Sequence, residues 1–286
     1  MRISVFGLFR DSVNTINECL ERLDNIQKIS NYDFEFFFYE NDSDDNTRDI
    51  LVEWSKGRDA KLYYEDIGAP KYGSVTSSDR MVLLSYYRNK LKRLAGNLNS
   101  EFSLLLDTDI VFSNKDVEAL IESLDNKAVA MATANTRQIE IPDVLFNATT
   151  DSYYDVFACR DYYFNSCYYF SDCPLILDLD RNRWNKNLPV RVSSAFGGLA
   201  VVRTKAYNNS QWSTCGNSEH INFCKEISRF GDIYIVPYCK PRAIIDMSTV
   251  NSEIVEMCRL RQLKHMKYVQ SIFQSSITDS IVFKNV

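Results

Sequence analysis

The amino-acid sequence predicts an α/β fold with a mostly parallel central sheet flanked by helices. Over residues 1–135, short apolar runs of strand length alternate with amphipathic runs of helix length. This alternation is typical of parallel sheets, because each connection between parallel strands has to cross a face of the sheet. The run Phe102–Leu106, apolar apart from Ser103, fits a strand that is buried on both faces. Few glycines and no low-complexity tract argue for one compact domain over residues 1–286.

The elements of the first half follow in chain order. The apolar run Met1–Phe9 predicts the first strand, and Asp11 and Ser12 are residue types that start helices. The apolar stripe of the helix they would cap comprises Val13, Ile16, Leu20, Leu23 and Ile26. Further strands are predicted at Phe34–Tyr39, Lys61–Glu65, Phe102–Leu106 and Ala128–Ala134. Further helices are predicted around Ile50, Leu51 and Trp54, at Met81–Leu94 with Tyr87, Leu91 and Leu94 on one face, and at Val117–Leu124.

The pattern is weaker beyond residue 136. The stretch Asp178–Asn187 is highly charged and is predicted to be a loop, whereas Ser252–Val269 is predicted to be helical. Strand signals return at Gly197–Arg203 and Ile233–Val236. We therefore expect two fused halves, about 1–135 and about 136–286, without a linker between them.

Composition narrows the possible partners and the cellular location. A net charge of -5 argues against nucleic acid as the main partner, because binding to phosphate backbones needs concentrated Lys and Arg. The eight cysteines contain no C-x-x-C pair, so buried free thiols in a reducing compartment are expected. We find no signal peptide and no membrane span in the sequence, which predicts a cytoplasmic protein.

The clearest chemical feature is Asp107-Thr108-Asp109, directly after the apolar strand Phe102–Leu106. Ligands of open α/β sheets bind at the edge where parallel strands end. The period-two geometry of an extended chain points Asp107 and Asp109 to the same side, where they could share one hard cation. Such a cation would neutralise a diphosphate leaving group. The motif is short, and a pair of acids can also simply end a strand.

A second polar corner follows the strand Phe34–Tyr39, with the sequence Glu40-Asn41-Asp42-Ser43-x-Asp45-Asn46-Thr47. Glu40 could accept a hydrogen bond from a ribose hydroxyl or a base N–H. The same residue types also favour helix starts for purely local reasons, so both interpretations stay open. Arg10, after the first strand, could reach a donor phosphate or be a solvated loop charge.

The order of these motifs resembles that of the GT-A nucleotide-sugar glycosyltransferases, and more closely the fungal capsule-associated α-1,3-mannosyltransferase family. The resemblance extends from Phe36 to Arg242. It rests on the polar corner, Arg88-Asn89, Asp107-Thr108-Asp109 with Val111-Phe112-Ser113, Tyr153-Tyr154-Asp155-x5-Asp161 with Arg160, Pro189-Val190-Arg191-Val192, Phe196-Gly197-Gly198 and Ser218-Glu219-x-x-x-Phe223-Cys224-Lys225.

The resemblance implies roles for individual residues and for the two halves. The first half would bind the nucleotide sugar, GDP-mannose or a UDP-sugar, and the second half a glycan acceptor. The donor nucleoside would lie near Glu40, Asn41 and Ser43, its phosphates near Arg88, and Mn²⁺ or Mg²⁺ on Asp107 and Asp109. Gly197 and Gly198 would let the backbone approach the donor, or form a plain turn. Sugar hydroxyls would be bound by Asp155, Arg160, Asp161 and Arg191, although Asp155 and Asp161 could equally be solvated.

The same resemblance places Glu219 beneath the reacting anomeric carbon. There it would act as a base in an inverting reaction, or stabilise an oxocarbenium-like centre in a retaining one, with Asp109 as the other catalytic group. His220 could complete the metal site, and a buried or surface histidine is the alternative. A small or thiol residue is expected at that place in the family, so His220 is a departure. His265 is a second candidate ligand.

Two other functions fit parts of the sequence. The run Leu106-Asp107-Thr108-Asp109 also matches the signature of haloacid-dehalogenase-type phosphatases. In that class the motif lies near the N-terminus and a later Gly-Asp is followed by a second acid, whereas here Gly231-Asp232 is followed by Ile-Tyr-Ile-Val. A non-catalytic carbohydrate-binding module would account for the 17 Tyr and 17 Phe.

Overall fold

The computed structural model describes residues 1–72, 77–142, 149–167, 172–214 and 218–244. These residues belong almost entirely to one compact unit that comprises Met1–Ile141 and Thr150–Ile245. The strands are β1 (Arg2–Phe9), β2 (Asp33–Asn41), β3 (Ala60–Glu65), β4 (Phe102–Leu106), β5 (Ile110–Val111), β6 (Val129–Ala134), β7 (Arg137–Pro142), β8 (Thr149–Tyr153), β9 (Val190–Val192), β10 (Leu199–Arg203), β11 (Asp232–Val236) and β12 (Arg242–Ala243). The helices are α1 (Ile16–Ile29), α2 (Thr47–Ser55), α3 (Ser78–Ala95), α4 (Asn114–Ser123), α5 (Asp178–Asn185), α6 (Thr204–Asn208) and α7 (Glu219–Ile227).

A central eight-stranded sheet has the strand order β3-β2-β1-β4-β10-β6-β11-β9. The strands β3, β2, β1 and β4 are parallel, so they end at one edge of the sheet. β10 runs antiparallel to β4 and pairs Leu199 with Leu106. This register places Gly198, just before β10, beside Asp107, just after β4, and the Asp107 N–H donates to the Gly198 carbonyl at 2.8 Å. The fold class predicted from the sequence, α/β with a mostly parallel central sheet, is confirmed.

A second, four-stranded sheet has the order β5-β12-β7-β8. Its first strand begins at Ile110, immediately after Asp109, and the Ile244 N–H donates to the Asp109 carbonyl at 2.7 Å. The segment after Asp109 is thereby fixed on the side of the molecule where β4 ends.

The core lies on both faces of the central sheet. In β2, Phe36 and Phe38 pack into one hydrophobic cluster, whereas Phe37 and Tyr39 pack into the other. Successive side chains of a strand point to opposite faces, so an uninterrupted aromatic run has to be covered on both. The same holds for β4, in which every residue is buried. This explains why the sequence signals of these strands are continuous rather than alternating.

The start of the first helix was predicted too early. α1 begins at Ile16 and not after Asp11 and Ser12, and Val13 is 37% exposed. The Ser12 N–H donates to Thr47 Oγ1 at 2.7 Å, and Asp11 has a φ of 48°. These contacts tie the segment after β1 to the corner after β2, so the chain makes a turn before it becomes helical.

Two further sequence predictions were wrong, and one lies outside the described residues. Asp178–Asn187 is largely the helix α5, not a loop: Asp178 lies in its first turn, where acidic side chains are favourable, and Trp184 is buried. Leu94 is 42% exposed and does not share the buried face of α3 with Tyr87 and Leu91. The predicted helix Ser252–Val269 lies outside the described residues.

None of the helices in the described ranges is both long enough and apolar enough to cross a membrane.

Candidate active site

Four acidic side chains surround the point where β4 ends, and we call them the carboxylate cluster: Asp107, Asp109, Asp155 and Glu219. Asp107 and Asp109 follow β4, Asp155 follows β8, and Glu219 is the first residue of α7. Sequence positions more than 100 residues apart thus meet at the edge where the parallel strands end. Bringing four carboxylates together is unfavourable unless positive charge balances them.

Arg88 on α3 is bound to two members of this cluster. Its Nη2 donates to Asp107 Oδ1 at 3.1 Å, and its Nε lies 3.4 Å from Glu219 Oε1. The guanidinium also lies over the Phe196 ring, 5.2 Å from its centroid. Burial acts to lower the pKa of Arg88, but the charges of Asp107 and Glu219 outweigh this effect and raise its pKa above the usual value. Arg88 is therefore charged and joins the Asp-x-Asp motif to the start of α7.

Asp109 is held by a tyrosine that the sequence analysis did not single out. The Tyr154 hydroxyl donates to Asp109 Oδ2 at 3.3 Å. Burial and the nearby charge of Asp107 raise the pKa of Asp109 to about 7. Without a bound cation, the second carboxyl of the motif thus takes up a proton close to neutral pH.

Asp155 is the neighbour of Tyr154 in the chain and caps two backbone groups. Its Oδ1 accepts from the Ala158 N–H at 3.3 Å and its Oδ2 from the Gly197 N–H at 3.2 Å. Burial, followed by the charge of Asp107, raises the pKa of Asp155 to about 7. Asp155 therefore links the segment after β8 to the glycine turn before β10.

Gly197 and Gly198 form a turn in which both residues have a φ of 69°. A Cβ on Gly197 would lie 2.4 Å from the Ala134 carbonyl oxygen, and one on Gly198 would lie 2.6 Å from Ile110 Cγ1. Side chains are excluded at both positions by backbone conformation and by space. The turn thereby brings the backbone directly against Asp107.

His220 is buried beside Glu219. Its ring stacks on Phe196 with centroids 3.9 Å apart, and its Nε2 lies 3.4 Å from Glu219 Oε1. Burial, and next the charge of Arg88, lower the pKa of His220 well below its usual value, so the ring is neutral. Its Nδ1 is buried and has no hydrogen-bond partner in the described part of the chain. A neutral imidazole with an unpaired nitrogen is a form that can ligate a metal.

The charges of the site fit a divalent cation. Burial, followed by the charge of Asp107, raises the pKa values of Asp109 and Asp155, so a cation beside these carboxyls would be favourable, and carboxylate oxygens suit Mg²⁺ and Mn²⁺. Across the described ranges, no three His, Cys, Asp or Glu side chains are arranged as a ready metal shell. A cation on Asp107 and Asp109 would therefore complete its coordination with ligand oxygens or water, as is usual for Mg²⁺.

The polar corner after β2 is internally hydrogen-bonded. Glu40 is fully buried; its Oε1 accepts from the Ser43 N–H at 3.0 Å and its Oε2 pairs with Arg48. The Asn41 side chain donates to the Tyr87 hydroxyl at 3.3 Å, and Ser43 Oγ accepts from the Asp11 N–H at 3.0 Å. These contacts give the corner one fixed shape, as the helix-start interpretation expects.

The segment 67–70 is clamped against this corner. Asp42, with a φ of 51°, accepts hydrogen bonds from the N–H groups of Ile67, Gly68 and Ala69. Burial acts to raise the pKa of Asp42, but the hydrogen bond from the Asn41 side chain and these three N–H groups together lower it. Arg10 Nη2 donates to the Ala69 carbonyl at 2.7 Å. The predicted phosphate ligand Arg10 is therefore used, in the ligand-free protein, to hold this loop.

The residues predicted to bind sugar lie in two different settings. Asp161 is fully buried and accepts from the N–H groups of Tyr163 and Asn165 at 3.0 and 2.8 Å, so it organises its own turn. Arg160 donates to the Cys159 carbonyl at 2.6 Å. Arg191 on β9 is about half exposed; it pairs with Asp232 at 2.6 Å and lies over the ring of Tyr162. The turn exposes Tyr162, Tyr163 and Phe164.

The structure adds residues that sequence reasoning missed. Tyr154 was part of a quoted motif, but its contact with Asp109 depends on the path of the chain between β4 and β8. Arg48 pairs with Glu40 and lies one residue beyond the polar corner described from the sequence. The two residues are eight positions apart, a spacing that matches no recognisable sequence motif. The predicted functional roles of the site residues stay predictions.

Comparison with known proteins was made by sequence and by structure. A comparison with curated proteins finds no matching relative. Among solved structures, S. aureus TarS residues 1–349 is similar with a TM-score of 0.51 and 16% identity, over 85% of this chain and 60% of that one. GalNAc-T7, solved with UDP, GalNAc and Mn²⁺, has a TM-score of 0.52 and 14% identity, over 86% and 44% of the two chains.

The chain thus spans three fifths or less of these two structures, and likeness at this identity shows the fold alone. The fold shown is GT-A, which confirms the resemblance drawn from the motif order. The profile of a family described as "Cryptococcal mannosyltransferase 1" matches residues 16–234, which is most of the chain. With its GT-A sheet and its carboxylate cluster at the edge of that sheet, the protein belongs to this glycosyltransferase family.

Proposed function

We propose that the protein is a divalent-cation-dependent glycosyltransferase that moves a hexosyl group, mannosyl in the first instance, from a nucleotide sugar to a glycan. The observation that carries the proposal is the imbalance of charge at the edge of the sheet. Four carboxylates gather there; in the described part of the chain Arg88 is bound to Asp107 and Arg80 acts on Asp109, and the pKa values of Asp109 and Asp155 are still raised to about 7. A divalent cation would supply positive charge to these carboxylates, and the oxygens of a diphosphate would complete its coordination.

In this proposal Asp107 and Asp109 would hold Mn²⁺ or Mg²⁺. A cation bound there would supply positive charge to the departing diphosphate. Tyr154 keeps Asp109 oriented through its hydroxyl, and His220 offers its unpaired Nδ1 as a further ligand. Arg88, already bound to Asp107, is placed to donate to phosphate oxygens once the cation takes over that carboxylate.

The nucleoside would lie against the corner after β2. The Asn41 amide nitrogen and both oxygens of Glu40 already have protein partners, so these two residues would act by fixing the corner, and the hydroxyl of the partly exposed Ser43 would contact the nucleoside. Arg10 and the loop it holds would border the phosphates. The family match favours a GDP-mannose donor. TarS has been solved with UDP-GlcNAc and GalNAc-T7 with UDP, so a UDP-sugar is the alternative donor.

Glu219 would lie beneath the anomeric carbon. Its side chain is buried, and its Oε1 lies 3.4 Å from Arg88 Nε. A carboxylate engaged with a guanidinium is better suited to stabilising an oxocarbenium-like centre than to accepting a proton from the acceptor, so we favour retention of configuration. The acceptor glycan would be bound by the second half, with Asp155, Arg160 and Asp161 shaping that side. The half-exposed Arg191 and the ring of Tyr162 form its most accessible surface.

A donor screen tests the proposal. Purified protein is incubated with GDP- and UDP-sugars, with Mn²⁺ or with a chelator, and release of nucleoside diphosphate is measured. We expect release from one donor class that is lost on chelation and abolished by Asp107→Ala and Asp109→Ala. Glu18→Ala, an exposed acid of α1, is the matched control and should keep full activity. Undiminished activity of the variant that carries both Asp107→Ala and Asp109→Ala would reject the proposal.

The same screen separates the two alternatives. A phosphatase of the haloacid-dehalogenase type would hydrolyse phosphate monoesters rather than sugar nucleotides, and a carbohydrate-binding module would release nothing. Neither is favoured by the family match.

A further inference from the structure

Two buried cysteines lie in contact across the turn that follows Asp155. Cys159 and Cys167 are eight positions apart, and their Sγ atoms are separated by 2.9 Å. Both are buried, with 0% and 5% exposure. By contrast, the thiols of Cys224 and Cys239 donate to backbone carbonyls at 3.4 and 3.5 Å.

Backbone geometry makes this contact a consequence of strand register. Arg160 and Ser166 form an antiparallel bridge, and the Asp161 N–H donates to the Asn165 carbonyl at 3.1 Å. The next pair across the two chain segments is therefore Cys159 and Cys167. Directly opposite positions in antiparallel segments have Cα separations within the range that disulfides require.

We propose that Cys159 and Cys167 form a disulfide when the chain folds in an oxidising environment. The sulfur atoms already lie inside the normal contact distance of two separate thiols, and a bond needs a final separation of about 2.05 Å. The oxidant we name is an organic disulfide, glutathione disulfide. One cysteine thiolate attacks it, forming a mixed disulfide and releasing one glutathione thiolate. The thiolate of the second cysteine then attacks the cysteine sulfur of the mixed disulfide and releases the second glutathione thiolate. Two protons leave the protein thiols, and two electrons pass to glutathione.

Burial determines when the bond can form. In the folded, reduced protein neither sulfur is accessible, and burial, followed by the hydrogen bond to Cys167, raises the pKa of the Cys159 thiol well above its usual value. Thiol–disulfide exchange requires an accessible thiolate, so the disulfide would form during folding, before the turn is packed into the core. Once formed, the bond is shielded from reductants in the same way.

The crosslink would fix the turn beside the proposed acceptor surface. The turn contains Asp161 and the exposed Tyr162. Just before it, the Arg160 N–H donates to the Ser194 carbonyl at 2.8 Å. The inference does not depend on the proposed transferase activity, because it rests on sulfur geometry alone.

Peptide mapping of the full chain tests it, because trypsin cleaves between the two cysteines at Arg160. The protein is refolded from denaturant with glutathione disulfide, alkylated while denatured and without reduction, and digested. We expect the peptide ending at Arg160 to be linked to the peptide ending at Arg181, about 2 Da lighter than their sum. Within the linked pair, alkylated Cys173 identifies Cys167 as the bonded sulfur. Cys173→Ser should keep the link and Cys167→Ser should abolish it.

Two outcomes would overturn the proposal. One is alkylation of both Cys159 and Cys167 after oxidative refolding, and the other is a link from Cys159 to a different cysteine. A second measurement does not depend on any variant folding well: the urea midpoint of the oxidised wild-type protein should lie above that of the same protein after reduction in denaturant. Equal midpoints together with unlinked peptides would reject the bond.

Discussion

Replacing Arg88 by methionine tests how strongly the carboxylate cluster depends on its one bound cation. The change keeps much of the side-chain volume but leaves Glu219, whose side chain is 4% exposed, without its counter-charge. Breaking a buried ion pair on one side costs about 3–5 kcal/mol. Asp107 is 33% exposed, so the loss of its pair adds only about 0.5 kcal/mol after screening by solvent. We therefore expect Arg88→Met to lower the free energy of unfolding by about 3–5 kcal/mol.

The assay is urea unfolding followed by circular dichroism, at pH 7.5 and again at pH 5.5. Without Arg88 a buried carboxylate has no counter-charge, so the loss should be smaller at the lower pH, where the charge of the cluster is reduced. The double variant Arg88→Met with Glu219→Gln should recover more than half of the loss, because no buried charge is then left unpaired. Arg22→Met, which breaks an exposed pair with Glu18, is the control and should cost less than about 0.5 kcal/mol. Two results would refute the reasoning. One is a loss of unfolding free energy for Arg88→Met no larger than that of Arg22→Met. The other is a loss for the double variant equal to the sum of the losses of Arg88→Met and Glu219→Gln measured singly.

Three further predictions concern the same site. The raised pKa of Asp155, about 7 against an ordinary 3.8, means that the folded state holds a proton which the unfolded state has lost between pH 4 and pH 7. Stability of the cation-free protein should therefore fall between pH 5 and pH 7 by up to about 1.4 kcal/mol per pH unit from Asp155, with a similar share from Asp109, and Asp155→Asn should remove about half of the combined slope in urea titrations. Gly198→Ala should lower the free energy of unfolding by about 2–3 kcal/mol, because its Cβ would lie 2.6 Å from the nearest side-chain carbon at a φ of 69°. Gly57→Ala, with a similar φ and open space, should cost about 1 kcal/mol, and equal losses for the two would contradict the packing argument. Tyr154→Phe should weaken Mn²⁺ binding about fivefold in calorimetry with unchanged folding, as expected for one hydrogen bond to Asp109, and unchanged affinity would remove its positioning role.

Strand identity could be read from the sequence wherever burial on both faces leaves a continuous apolar run. Phe102–Leu106 is β4 with the predicted bounds, and Phe34–Tyr39 lies inside β2. The direction of β10 could not be read, because an apolar strand has the same composition whether it runs parallel or antiparallel to its neighbour. α5 was mistaken for a loop because the segment that contains Trp184 is mostly charged, and few apolar side chains reveal its period.

The candidate site was predictable in part for the same reason. Asp107 and Asp109 end a recognisable strand, so their position at the edge of the sheet followed from the fold class. The contact of Arg88 with both Asp107 and Glu219 joins residues separated by 19 and 131 positions, and no local pattern encodes it. The roles of Asp42 and Tyr154 likewise depend on where distant loops return. Motif order indicated the family, whereas the hydrogen-bond partners needed the structure.

Binding of Mn²⁺ in the presence of a nucleoside diphosphate, measured by isothermal titration calorimetry, tests the central claim most directly. We expect one cation per chain, binding that strengthens when GDP or UDP is present, and loss of this binding in the variant Asp107→Asn with Asp109→Asn while its circular dichroism is unchanged. The same affinity in wild type and in that variant would contradict the assignment of the carboxylate cluster as the cation site.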